Sequence, residues 1–171
     1  MRWKLRNEQV PSDVRDSLGL SSRERVLAAG QSKDGVWFVG TDRTLYIAFD
    51  EVVRLPWERV ERATWDRDSS ELVVEGVADF GERHPRHVAR FDDPRRLLEL
   101  VRERVTASVL LTRNVPVEGS RGIKVVARRS PMRTGDVAFS YVLADDLEPT
   151  SEAVLEAGRR GLADVREELG L

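Results

Sequence analysis

The stretch from Gly35 to Trp65 reads G-V-W-F-V-G-T-D-R-T-L-Y-I-A-F-D-E-V-V-R-L-P-W-E-R-V-E-R-A-T-W, and it constrains the fold more than any other part of the chain. It carries three of the four tryptophans. Val36-Trp37-Phe38-Val39 is a near-continuous apolar run, the pattern of a strand buried on both faces. Leu45, Ile47 and Phe49 then alternate with Thr44, Tyr46 and Ala48, and Val53, Leu55 and Trp57 alternate with Arg54 and Pro56, the two-residue period of strands. Thr41-Asp42-Arg43 and Asp50-Glu51 separate these runs. Such links suit antiparallel hairpins and are too short for a helical crossover. The stretch is therefore expected to form a strongly bent antiparallel meander.

A chain of 171 residues is long enough to bury a core as one domain with an appendage. Its net charge of −2 argues against a general affinity for nucleic acid or anionic membrane. Cysteine is absent, which excludes a disulfide framework and thiolate metal ligation. No run approaches the length of a membrane span, and Met1 to Val10 lacks the apolar centre of a signal peptide. A cytoplasmic location is the expectation.

Trp3 and Leu5 alternate with Arg2, Lys4 and Arg6, as in a short strand or a loosely laid arm. Pro11-Ser12-Asp13 opens a short helix that Gly19 stops. Val26 to Ala29 reads as the first strand, Leu72 to Val74 as a later one and Arg86 to Phe91 as the last before a helix. Asp92-Asp93-Pro94 offers an acidic cap and a proline at the first helical position. Leu97, Leu98, Val101, Val105 and Val109 recur at helical spacing, and the helix is predicted to reach about Leu111.

Six or seven short antiparallel strands followed by one amphipathic helix is the order of a pleckstrin-homology (PH)-like barrel, open at one end where an apolar helix can plug it. The residues resemble that superfamily, its GRAM-like and bacterial branches in particular. The resemblance lies in G-V-W-F-V-G-T-D-R-T-L-Y and in R-L-P-W-E-R-V-E-R-A-T-W-D, a strand leading through Pro-Trp into a bulge and a further strand. Through R-L-P-W-E-R-V, V-R-E-R-V-T-A-S and V-V-A-R-R the chain is also similar to a group of uncharacterised proteins from high-GC bacteria. The fold class this implies is α+β: a PH-like antiparallel β-barrel capped by an amphipathic helix over residues 10–112, then a β-hairpin and a second helix over residues 113–171. Members of the superfamily that bind phosphoinositides carry several Lys and Arg residues around the first hairpin loop. Here that loop offers Lys33 beside Asp34, which argues against phosphoinositide as a partner.

Beyond the first long helix, Asn114 to Gly122 reads as a loop, Ile123 to Arg129 and Val137 to Leu143 as a hairpin, and Ser130 to Asp136 as its turn. In the final helix Leu155, Gly158, Leu162, Val165 and Leu169 form a narrow seam, and Gly158 and Gly161 would allow close approach to a neighbour. Packing of this part on the barrel is expected, with a homodimer through hairpin edges or helix seams as the alternative.

Candidate chemistry is sparse. Glu82-Arg83-His84-Pro85-Arg86-His87 holds both histidines, but extended residues three apart point to opposite faces and Pro85 forbids a helical turn. No metal and no cofactor is expected. The pairs Asp92-Asp93 and Asp145-Asp146 each precede a helix, where carboxylates favour the positive dipole end. Gly119-Ser120-Arg121-Gly122 has the form of the nucleotide-gripping loop of KH domains, yet a strand follows where a helix should. No phosphate-binding loop, dinucleotide fingerprint, nucleophile elbow or zinc-protease motif occurs, and no catalytic residue is nominated.

One charge asymmetry stands out. Between Arg113 and Arg133 six basic residues face the single acid Glu118, while Asp145 to Leu171 holds eight acids against three arginines. The two segments can neutralise each other, or Lys124, Arg128, Arg129 and Arg133 can present a basic hairpin surface. The expected function is a non-catalytic PH-like interaction module with a protein partner. The alternative is anion, RNA or lipid-headgroup binding through that hairpin.

Overall fold

The computed structural model describes residues 9–171, so the expectation for Trp3 and Leu5 lies outside the described residues. The chain is α+β, with three antiparallel sheets and three α-helices among the described residues. The first sheet has the order β1-β2-β3-β4, formed by Val26–Gln31, Trp37–Thr41, Thr44–Ala48 and Val52–Pro56. The second, β5-β6-β7, comprises Val60–Asp66, Glu71–Gly76 and Arg86–Arg90.

The meander bends where expected. Pro56 ends β4, a 3-10 turn over Trp57–Arg59 lifts the chain out of the first sheet, and β5 opens with a bulge between Val60 and Arg62. The seven strands do not close into one barrel: they remain two separate sheets. Pro56 has no N–H to offer a ladder, and the turn that follows breaks the run of pairing between β4 and β5. At the other margin, Lys33 donates its backbone N–H to Arg90 C=O at 2.8 Å, joining the ends of β1 and β7.

Strand β2 is buried at every position. Phe38 belongs to the core between the sheets, whereas Trp37 and Val39 lie under helix α1, Ser12–Leu18, with Leu18, Tyr46 and Ala48. The apolar run Val36–Val39 thus serves two layers. Gly19, at φ 61°, stops α1 as its position predicted.

Helix α2, Arg95–Ser108, packs on β1, β2, β5 and the 3-10 turn. It sends Leu97, Leu100 and Val101 into a core with Phe38, Leu45, Trp57, Leu72 and Phe91. The Trp57 indole N–H donates to Thr41 C=O at 2.9 Å, so the ring is buried with its polar atom satisfied. The helix ends at Ser108, three residues before the predicted Leu111, and the chain turns straight into β8, Val109–Glu118. Most of the segment predicted as a loop, from Asn114, is therefore strand. Pro116 is compatible with it because β8 lies at the edge of the third sheet, ordered β10-β9-β8, where an N–H is dispensable.

Strands β9, Arg121–Arg128, and β10, Ala138–Leu143, complete that sheet, and helix α3, Glu152–Leu169, lies over β8 and β9. The buried face of α3 is Val154, Ala157, Gly158, Gly161 and Val165. The seam is rotated from the predicted one: Leu155, Leu162 and Leu169 flank it, half-buried. The two glycines do allow close approach, but in different ways. A Cβ on Gly161 would stand 2.7 Å from a methyl of both Val115 and Val125, whereas one on Gly158 would stand 2.9 Å from the Phe80 ring.

These distances predict unequal costs. Gly161→Ala must displace two β-branched core side chains, and overpacking of about 1–3 kcal/mol outweighs the helix propensity gained, about 1 kcal/mol. Gly158→Ala pushes only against the half-buried Phe80 ring, which can move. Thermal or denaturant unfolding should rank wild type and Gly158→Ala together, with Gly161→Ala clearly below both. Equal midpoints for the two variants would contradict this packing.

Candidate functional site

The four candidate cations start from one hairpin, and their burial divides them. Lys124, Val126 and Arg128 share one face of β9, while Ile123, Val125 and Ala127 share the other, under α3. Lys124 is exposed, but Arg128 is buried, with 4% of its surface accessible. Its guanidinium donates to Ser108 Oγ at 3.2 Å, to the Glu61 carbonyl oxygen at 3.1 Å and to Glu61 Oε1 at 3.2 Å. Glu61 is itself largely covered. Arg128 is therefore not a surface ligand: it ties the third sheet to β5 and to the end of α2.

Arg129 is half-buried beside the same junction, its backbone N–H donating to Ser108 C=O at 2.9 Å. Arg133 is exposed at the tip of the β9–β10 turn, in a left-handed conformation at φ 59°. The four residues do not converge. Lys124 and Arg133 reach solvent, and Arg128 and Arg129 line the seam between layers.

The remaining charge asymmetry is largely settled within the fold. Arg113 binds Glu168 of α3 at 2.5 Å. Arg121 binds Asp146 at 2.7 Å and also contacts Glu118. The hydrogen bond from Arg121 holds the Asp146 carboxyl below the usual aspartate range. Asp146 thus serves an ion pair; the helix cap is Ser151, whose Oγ accepts the Val154 N–H at 3.4 Å. Likewise Asp93 grips the Arg95 guanidinium at 2.7 Å, while Lys33 pairs with Asp92 at 3.0 Å.

Both histidines sit at the β6–β7 end. The His84 Nδ1 is 2.9 Å from Gly76 C=O, and burial lowers the pKa of His87 in β7. Among the described residues no group of three or more His, Asp or Glu side chains is placed to hold a metal. Gly119 and Ser120 form the tight β8–β9 turn, with Gly119 at φ 56°.

The sequence reading named hairpin edges as a pairing surface without choosing one, and β10 lies at the margin of the third sheet. Ala144 donates its N–H to Gly122 C=O at 3.2 Å, so the even-numbered residues of β10 face β9 in the ladder. By the alternation of antiparallel bonding, the N–H and C=O of Phe139, Tyr141 and Leu143 then point away from the sheet. Their side chains are held nonetheless. Tyr141 meets Phe80 edge-on at 5.0 Å, and the Arg166 guanidinium lies 5.4 Å from the centre of the Phe139 ring. Burial pushes the Tyr141 hydroxyl above the usual tyrosine range, with Arg166 opposing. At the far end of β10 a groove of about 430 Å³ is lined by Pro116, Lys124, Val142, Leu143 and Ala144 among others. The missed signal was the absence of any charged residue in Ala138–Leu143.

No protein-family model matches the chain, and neither a curated protein nor a solved structure matches it. Among the described residues no helix is long and apolar enough to cross a membrane.

If Arg128 is a structural tie, its removal should act on stability. Arg128→Leu strands a largely buried Glu61 carboxylate, a loss expected at about 3–5 kcal/mol. Arg128→Leu combined with Glu61→Leu should recover much of it, because no buried charge is left unpaired. Urea unfolding checks both. A neutral Arg128→Leu would return the residue to the surface-ligand reading.

Proposed function

We propose that this chain is a non-catalytic, PH-like interaction module that works through protein contacts, with the outer edge of β10 as its contact strand. The order of seven antiparallel strands and then an amphipathic helix packed across both sheets supports the PH-like reading. The space between those sheets is taken up by side chains, Trp57, Phe38 and Phe91 among them.

The observation that carries the contact strand is a comparison of sheet edges. Exposed edges are blunted in proteins by charges, prolines and bulges, because unpaired backbone groups template pairing with other chains. Strand β1 has a bulge between Val26 and Ala28, and β4 carries Arg54 and Pro56. Strand β5 has a bulge and three charged residues, and β7 carries Arg86 and Arg90. Strand β8 has two register shifts and Pro116. Strand β10 has none of these devices: Ala-Phe-Ser-Tyr-Val-Leu pairs with β9 in unbroken register. Main-chain hydrogen bonds along such an edge supply affinity, and adjacent pockets supply selectivity. The groove beside Val142 and Leu143 is such a pocket.

The anion-binding alternative asks for convergent cations, and only Lys124 and Arg133 of the four remain exposed. It ranks second.

Site-specific photo-crosslinking tests the proposal. A crosslinking side chain at Leu143 should yield adducts with protein, while the same group at exposed Arg67, in the β5–β6 turn, should not. Equal labelling at both positions, or adducts with small molecules alone, would overturn it.

A further inference from the structure

The third sheet has two faces, and α3 covers one of them. Val115, Ile123 and Val125 turn toward that helix and enter the core beneath it. The opposite face is built from the alternate residues, which the register sets in rows across the three strands. One row is Asn114, Lys124 and Val142, and the next is Pro116, Gly122 and Ala144. Further along, Val126, Arg128 and Ser140 are buried, and the groove of about 430 Å³ occupies the open end of this face.

The shape of the groove follows from side-chain size. Gly122 and Ala144 bring almost no bulk beside Pro116, while Lys124 and Val142 rise from the adjoining row, and a recess is left between them. Its volume lies in the range of small-molecule sites, about 300–1,000 Å³.

The charge of the groove follows from what surrounds Lys124. Glu118 and Asp146 are both taken by Arg121, and the exposed Asp145 makes no ion pair among the described residues. Lys124 is exposed, and neither its ammonium nor the Asn114 amide is engaged by a hydrogen bond or ion pair among the described residues. Asn114 and Lys124 stand directly opposite each other. Such pairs hold their Cβ atoms about 4.5–5.5 Å apart, so ammonium and amide can both reach one small anion beside an apolar recess.

We propose that this groove binds a small molecule carrying one carboxylate and a compact apolar tail. The Lys124 ammonium and the Asn114 amide donate to the carboxylate oxygens, and the tail lies over Gly122 against Pro116, Val142 and Ala144. One cation balances one negative charge. A phosphate, carrying nearly two, asks for convergent cations that the groove does not have. The site is on the face of the sheet and not on the β10 edge, so it stands apart from strand pairing there. An open groove and a ligand of about eight heavy atoms set the expected dissociation constant near about 1 mM.

Backbone-amide NMR of the full chain, titrated with sodium hexanoate, tests the assignment. Saturable shifts should concentrate at Asn114, Gly122, Lys124, Val142 and Ala144. Hexanol keeps the tail without the charge, and acetate keeps the charge without most of the tail. Each should bind at least about tenfold more weakly. Lys124→Gln, at an exposed position, should weaken hexanoate about tenfold and leave hexanol unchanged, while Lys124→Arg should retain hexanoate. Ala144→Leu fills the recess and should remove both ligands. If that variant does not fold, Lys124→Gln still decides.

Shifts scattered over the surface arginines without saturation, or a Lys124→Gln protein that binds hexanoate as the wild type does, overturn the proposal. An acetylated peptide ending in leucine with a free carboxylate, titrated in parallel, should bind no more tightly than hexanoate. A peptide tighter by more than about tenfold would replace the small molecule with a protein terminus.

Discussion

Leu100 of α2 rests on Gly40 of β2, and most of the amino-terminal architecture depends on that contact. A Cβ on Gly40 would stand 2.5 Å from the leucine Cδ2 and 3.4 Å from the Trp57 ring. The missing side chain lets α2 descend until Leu97, Leu100 and Val101 fill the space between two sheets that share no ladder. Each such buried side chain contributes about 1.5–3 kcal/mol. Because no ladder spans β4 and β5, the sheets are held together largely by what lies between them. Trp57 is placed at the hinge of the two sheets, and its indole bond to Thr41 C=O fixes that hinge to the β2–β3 turn. The same turn is tied down by Thr41 Oγ1, which accepts the N–H groups of Arg43 and Thr44.

The carboxy-terminal layer is joined to this body by two contacts of different character. One is the Arg128–Glu61–Ser108 cluster, directional and costly to break. The other is Phe80, carried on the β6–β7 loop, which fits over Gly158 and against Tyr141. The first fixes position and the second buries apolar surface. Together they account for a hairpin and helix too small to hold a core alone standing as an ordered layer.

The amino-terminal strands were legible because their apolar residues follow a period of two for long enough to be unambiguous, and Pro56-Trp57 marked the bend. The failures have equally local causes. Val105 and Val109 continue the helical spacing of α2, so the sequence carries no stop signal at Ser108, and Arg113, Asn114 and Pro116 then disguise β8 as a loop. The α3 seam was read from its leucines, whereas the face that packs is small: Ala157, Gly158 and Gly161 bury by closeness, not by bulk. Arg128 and Arg129 were read as part of one basic patch with Lys124 and Arg133, whereas both line the seam between layers. The pairing of Arg128 with Glu61, 67 residues away, has no local signature at all.

The β10 edge is also an ordered one, which bears on how it could act. Binding costs free energy for every side chain and loop that must be immobilised. Along β10, Phe139 is already held by Arg166 and Tyr141 by Phe80, while Ser140 is fully buried on the opposite face. The backbone groups of Phe139, Tyr141 and Leu143 are thus presented by a strand fixed from both sides. Little ordering remains to oppose pairing. The contacts that dock the layer onto the body are the ones that prepare its edge: removing the Phe80 ring would cost both the packing of α3 and the stiffness of the strand. Stability of the layer and competence of its edge are therefore coupled through the same few side chains.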